Sequence, residues 1–292
     1  MEKSKVYFTK EIKGESLVRL YEKLGVSLPG KVAVKLHSGE DGNQNYMKPE
    51  FVKNIIEHVN GTVVECNTAY EGARNTTEKH IKLMEKHGWS KYFDVDILDS
   101  DEEEVLENPN GEVIQKNIVG AKMKNYDSIL VLSHFKGHPM GGFGGAIKNL
   151  SIGLASSNGK GYIHTSGVEN ASFDQLMNAD HDNFLRSMAD SAKTITDFYK
   201  DKIVYINAMV NMSVDCDCCG VAEDPCMKDI GILASTDPVA LDQACIDLVY
   251  QSDDPGRDKL VERIESRNGL LTIDSAEKQG MGSKEYELIS ID

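Results

Sequence analysis

The sequence contains no run of apolar residues long enough to cross a membrane, and its opening, Met-Glu-Lys-Ser-Lys, has no apolar signal core. Both absences lead us to expect a cytoplasmic protein. Positive charge is also scarce: 32 Lys and Arg face 47 Asp and Glu, a formal net charge of -15 at pH 7. Nucleic-acid and anionic-membrane partners both need a basic face, so neither is expected. The standard nucleotide loops are missing too. A Gly-x-Gly-x-x-Gly reading from Gly142 and Gly144 ends on Ile147, and Gly159-Lys160 is followed by Gly161 instead of Ser or Thr. Classical NAD and ATP binding have no support.

Six cysteines in 292 residues do not make a disulfide framework, but four of them, Cys216, Cys218, Cys219 and Cys226, fall within eleven positions. In a reducing compartment such a cluster points to metal binding or reactive thiols, with inert loop cysteines as the bland alternative. Cys216 and Cys219 have the C-x-x-C spacing that suits two ligands on one ion. Cys66 and Cys245 lie in apolar surroundings and read as core.

The 40% hydrophobic and 27% charged fractions are those of a globular protein. Apolar runs at residues 31–36, 62–66, 95–98, 129–132, 203–209 and 230–234 read as strands, with a last one near 286–291. Helical periodicity marks 49–59, 77–87, 173–199 and 239–250, followed by two acidic helices. A turn at Asn108-Pro109-Asn110-Gly111 predicts a hairpin between Val105-Leu106 and Val113-Ile114. Strands alternating with helices predict an α/β fold, a mostly parallel, Rossmann-like sheet with helices on both faces. We expect one domain over 1–292, with lobes 1–165 and 166–292 as the alternative division.

Ligands bind beyond the carboxyl ends of such strands. Four polar, Gly-rich or Cys-rich loops leave strands at that end: 37–48, 67–74, 134–145 and 215–226. The third is the densest in chemistry. Five glycines lie between Gly137 and Gly145, interleaved with His134, Lys136 and His138. Gly142, Gly144 and Gly145 can expose backbone N–H groups to an anion, with Lys148 and Asn149 close behind. Lys35 and, from the second loop, Asn67, Tyr70 and Arg74 are further anion-binding candidates; a structural ion pair is the plain alternative for Lys35 and Arg74. His134, His138 and Lys136 are candidates for acid–base work or ligation.

Several segments resemble the domain of unknown function 362 family: Val-Ala-Val-Lys-Leu-His-Ser-Gly-Glu at 32–40, Asn-Thr-Ala-Tyr-Glu-Gly-Ala-Arg-Asn at 67–75, and Ser-His-Phe-Lys-Gly-His at 133–138. Gly-Phe-Gly-Gly-Ala-Ile-Lys-Asn at 142–149, Asp-Cys-Asp-Cys at 215–218 and the segment 229–244 continue the likeness, which covers nearly the whole chain. Many relatives carry a ferredoxin-like pair of four-cysteine iron–sulfur motifs after the Gly-Lys segment. This chain lacks them, so of the iron–sulfur character the resemblance implies, only the Asp-Cys-Asp-Cys loop remains. The glycine loop is also similar to that of the nickel-dependent lactate racemase group, which implies a metal-assisted reaction on a small hydroxy acid.

The reading that unites these features is a metal-dependent enzyme, with zinc or iron on Cys216, Cys218, Cys219 and Cys226, acting on a small anionic molecule. The alternative is a non-catalytic metal or electron-transfer accessory protein with a redox partner; self-association into a homo-oligomer fits either. An enzyme should join the four loops around a deep pocket, whereas a carrier should expose its metal beside a flat surface.

Overall fold

The computed structural model describes residues 3–292. Its centre is an eight-stranded sheet in the order Tyr286–Ser290, Ser4–Thr9, Gly231–Ser235, Ile203–Met209, Ser128–His134, Val32–Lys35, Gly61–Glu65 and Val95–Ile97. Five of the seven neighbouring pairs are parallel; Gly231–Ser235 alone runs against both its neighbours. The strand Ser128–His134 is buried along its whole length, as its unbroken apolar run requires for a strand covered on both faces. Strands from both sides of residue 165 share this sheet.

Helices cover both faces. On one face Leu17, Leu20, Val52, Ile55 and Trp89 pack against Val34 and Leu130. On the other Leu150, Ala189, Ala244 and Ile273 pack against Ile129, Val131 and Tyr205. Burying each such aliphatic side chain is worth about 1.5–3 kcal/mol, which fixes the faces of every strand. Helix Pro49–His58 starts on a proline whose missing N–H costs nothing at that position. Helix Pro238–Gln251 starts the same way, and the Asp237 carboxylate accepts from the Val239 and Ala240 amides.

The structure differs from the sequence reading in several places. A strand, Ser4–Thr9, and a helix, Gly14–Lys23, precede the expected first strand. The hairpin around Asn108 pairs Glu103–Glu107 with Lys116–Gly120, so its second strand begins two residues beyond Ile114. Phe198, expected inside, is 39% exposed. The glycine-rich stretch is not an open loop: Lys136–His138 pairs antiparallel with Gly142–Gly144, and two helices, Ala146–Leu154 and Ser157–His164, follow directly.

Chain order defines where the site must be. From Val32–Lys35 the chain adds Gly61–Glu65 and Val95–Ile97 on one side, then crosses back to add Ser128–His134 and Ile203–Met209 on the other. The switch point therefore lies between Lys35 and His134, at the carboxyl ends of those strands, where a crevice opens in sheets of this kind.

Candidate functional site

A cavity of about 200 Å³ occupies that switch point. The loops that follow the four central parallel strands build it together with the two helices after the glycine hairpin. Backbone bonds tie the loops to one another: Glu40 N donates to Asp217 O at 2.8 Å, and Gly137 N to Ser213 O at 2.8 Å. Asn149 spans the switch point itself, donating to Lys35 O, Leu132 O and Ser133 Oγ at 3.0–3.2 Å.

Much of the charge around the cavity is neutralised within the protein. Lys35 Nζ lies 2.8 Å from Glu65 Oε2 and also meets Leu36 O and Asn149 Oδ1, so its three protons are all engaged. Burial pushes the Glu65 carboxyl up, but Lys35, His37, His80 and Arg74 outweigh it and hold the group well below the usual carboxylate range. Arg74 Nε lies 3.1 Å from Glu40 Oε2, and its Nη2 donates to Tyr70 Oη at 2.8 Å.

His134 stands at the end of its strand with Nδ1 2.9 Å from Asp217 Oδ1 and Nε2 2.5 Å from Val210 O. Lys136 Nζ is 3.1 Å from the other Asp217 oxygen and 2.9 Å from His134 O. Burial pushes the Asp217 carboxyl up, and His134 and Lys136 together hold it far below its ordinary range. Both ring nitrogens of His134 face acceptors, so neither is free for a substrate or an ion. In this geometry both His134 and Lys136 anchor the cysteine loop to the sheet through Asp217, which leaves His134 no ring nitrogen for the acid–base work expected of it.

Other groups lining the same cavity are not neutralised. Among the described residues, Lys148 has neither a carboxylate nor a hydrogen-bond acceptor at its ammonium, and Lys160 hydrogen-bonds only to the Ala155 carbonyl, at 2.6 Å. His164 Nδ1 donates to Lys160 O at 2.6 Å and its ring stacks on Phe184. That bond fixes the tautomer and leaves Nε2 with a lone pair. Burial, with the charges of Lys148 and Lys160 against it, pushes the His164 ring down to about 4, so it is neutral near pH 7. Neither Lys160 nor His164 has a spacing in the sequence that singles it out; the only signal was their place just after the glycine-rich segment.

His138, Cys216 and Cys218 bring one nitrogen and two sulfurs within 4.8 Å of one another, a group that can hold a metal ion. Two sulfurs and an imidazole are the soft donors that zinc and iron accept, and three protein ligands leave one position open. The Cys218 amide lies 3.4 Å from Cys216 Sγ, while the Cys218 side chain and burial push the Cys216 thiol up to about 11, so an ion held there would take the place of the thiol's proton. His138 Nδ1 is 2.8 and 3.1 Å from the Gly141 and Met140 amides and therefore accepts, leaving the neutral ring's proton on Nε2, 3.9 Å from Cys218 Sγ. Burial pushes this ring down to about 4. Were the ring to hold an ion through Nε2, it would release that proton to solvent, and the Gly141 and Met140 amides would support the resulting imidazolate at Nδ1.

Some expected site residues lie elsewhere. Cys226 Sγ points to Met212 O at 3.3 Å and Cys219 is absent from the ligand group, because the loop turns at Cys219 N, which donates to Cys216 O. The thiols placed to hold an ion with His138 are thus Cys216 and Cys218, at C-x-C and not C-x-x-C spacing. Asn67 is spent on Asp99, Thr77 and His80. Gly142, at φ +76°, packs against Gly269 away from the cavity. The Ala146 and Ile147 amides, which follow the glycines, donate to the buried Asp242 carboxylate at 2.7 and 2.9 Å and are therefore closed to an anion. Gly145 is required for that approach, since a Cβ there would sit 2.4 Å from Asp242 Oδ1. Gly144, Gly145, Tyr70, Arg74, Lys35, Lys148 and Asn149 do line the cavity.

Fold and site together define an α/β protein with a thiol–imidazole cavity at the switch point of its sheet. Residues 32–247 match the family described as a domain of unknown function (DUF362), and the chain belongs to that family. No curated protein matches it. Among solved structures it is similar to the lactate racemase apoprotein from Thermoanaerobacterium thermosaccharolyticum, with 14% identity and a TM-score of 0.40 over 70% of this chain and 50% of that one. It is also similar to a protein from Thermotoga maritima, with 12% identity and a TM-score of 0.43 over 92% of this chain and 59% of that one. The chain thus spans only 50% and 59% of those two structures. Among the described residues no helix is long and apolar enough to cross a membrane.

Proposed function

We propose that this protein is an enzyme that binds a small anionic substrate in the switch-point cavity, beside a metal ion held by His138, Cys216 and Cys218. The observation that carries the reading is that the ligand group shares one cavity with Lys148, an ammonium that no protein carboxylate neutralises. The soft donors favour zinc or iron. When bound, such an ion supplies Lewis-acid polarisation of a substrate oxygen. The chain's own groups do the rest: Lys148 draws in the anion, and the neutral His164, with Nε2 uncommitted, accepts a hydrogen bond from the substrate and orients it. Ile152, Met140 and Pro139 add apolar surface to the lining for the substrate's carbon chain.

Burial of the ligand group in a pocket favours an enzyme over an electron carrier, which needs its centre near a docking surface. Thermal shift across phosphate, sulfate and small carboxylates tests the reading. A carboxylate should raise the melting temperature of the wild type by linkage, and Lys148→Ala should lose most of the rise. Equal shifts in both proteins, or none in either, would overturn anion binding here.

A further inference from the structure

The cavity's four lysines divide into two pairs. Lys35 faces Glu65 and Lys136 faces Asp217, each within ion-pair distance. Among the described residues, neither Lys148 nor Lys160 has a carboxylate within ion-pair distance. Lys160 is the stranger of the two: it is 8% exposed and, among the described residues, its ammonium's one hydrogen bond is to a backbone carbonyl. An ammonium has three protons, so two of its donors are uncommitted in a buried setting, where unmet charge is costly. Asp99, whose charge reaches Lys160, spends its oxygens on the Asn67 and Ser157 amides. Burial pushes the Lys160 ammonium's pKa down, and an anion beside it would restore the charge.

Lys148 and Lys160 stand on consecutive helices, Ala146–Leu154 and Ser157–His164, and the charges of both act on the His164 ring. Apolar Ile152, one turn on from Lys148, lines the cavity with them. We propose that the substrate carries two anionic groups joined by a short carbon chain, a dicarboxylate, one carboxylate meeting Lys148 and the other Lys160. This rests on the anion site proposed above and adds its second end. A single phosphate is disfavoured because the helix N-terminal amides that would cradle it are given to Asp242, and the Arg74 fork is held by Glu40 and Tyr70.

Calorimetric titration of the native protein with malonate, succinate and glutarate, against propionate, butyrate and valerate, tests the proposal. The best dicarboxylate should bind about tenfold or more tighter than the best monocarboxylate. Lys160→Met should bring the dicarboxylate down to the monocarboxylate's affinity while leaving the monocarboxylate unchanged; Lys148→Met should weaken both. Equal affinities in the wild type, or a dicarboxylate that binds Lys160→Met as well as wild type, would overturn it. The wild-type comparison alone decides if a variant fails to fold. Monocarboxylate binding without a dicarboxylate preference would sink the second end only, whereas no binding of either class would sink the anion site as well. Inorganic phosphate binding tighter than every dicarboxylate would also overturn the assignment.

Discussion

Two sets of charged groups meet at the cavity, and they are built on opposite principles. In its wall, Lys35 with Glu65, Arg74 with Glu40, and His134 and Lys136 with Asp217 form closed pairs that hold loops from four strands together. In its interior, Lys148, Lys160 and His164 keep donors or lone pairs without protein partners. Residue type does not separate the sets, since Lys136 and Lys148 flank the same glycines. Partners do. A buried charge that has found its counter-ion is architecture, and one that has not is available to a ligand.

The comparison breaks most sharply on stability. Glu65→Ala leaves Lys35 buried without its counter-charge and should cost about 3–5 kcal/mol in denaturant unfolding. A loss below about 1 kcal/mol would mean that the wall pair is not what holds the first two loops.

The pH dependence sharpens it next. Burial pushes His164 down to about 4 and His80 down to about 3, from 6.5. Below pH 6.5 the unfolded chain therefore binds protons that the folded protein refuses, so the stability held by these neutral rings is complete above pH 6.5. It is lost as pH falls toward about 4 and about 3. His164→Gln should remove about 1.4 kcal/mol per pH unit from the slope of stability between pH 6.5 and 4. An unchanged slope would contradict the buried, neutral ring.

The smallest effect is expected in the interior. Lys148→Ala should change stability by no more than about 0.5 kcal/mol, because it breaks no hydrogen bond or ion pair among the described residues, while removing most of the anion-induced thermal shift. A loss as large as that of Glu65→Ala would move Lys148 into the wall set.

The layout was largely legible in the sequence. Strand Ile203–Met209 and the Asp237-Pro238 helix start follow from apolar runs and capping chemistry, and the carboxyl-end loops from the α/β pattern itself. Partner identity was not legible, because the partners are remote in the chain. His134 looks like a free histidine until Asp217, 83 residues on, takes its ring. The helix start just past the glycine run carries free amides in the sequence, until Asp242, 96 residues beyond Ala146, takes the first of them. Conversely, Lys160 and His164 carry no motif, and only folding of their helix against the switch point puts them in the cavity. The cysteine loop fell between: its thiols were expected to bind metal, but the turn at Cys219 selects Cys216 and Cys218 and gives them His138.

Metal content tests the central claim most directly. Elemental analysis of protein purified without oxygen should find about one zinc or iron ion per chain in the wild type. The ion should be retained in Cys226→Ser and lost in both Cys216→Ser and Cys218→Ser. A wild-type protein without metal, whose Cys216 and Cys218 are alkylated rapidly with no chelator present, would contradict a metal centre at the switch point.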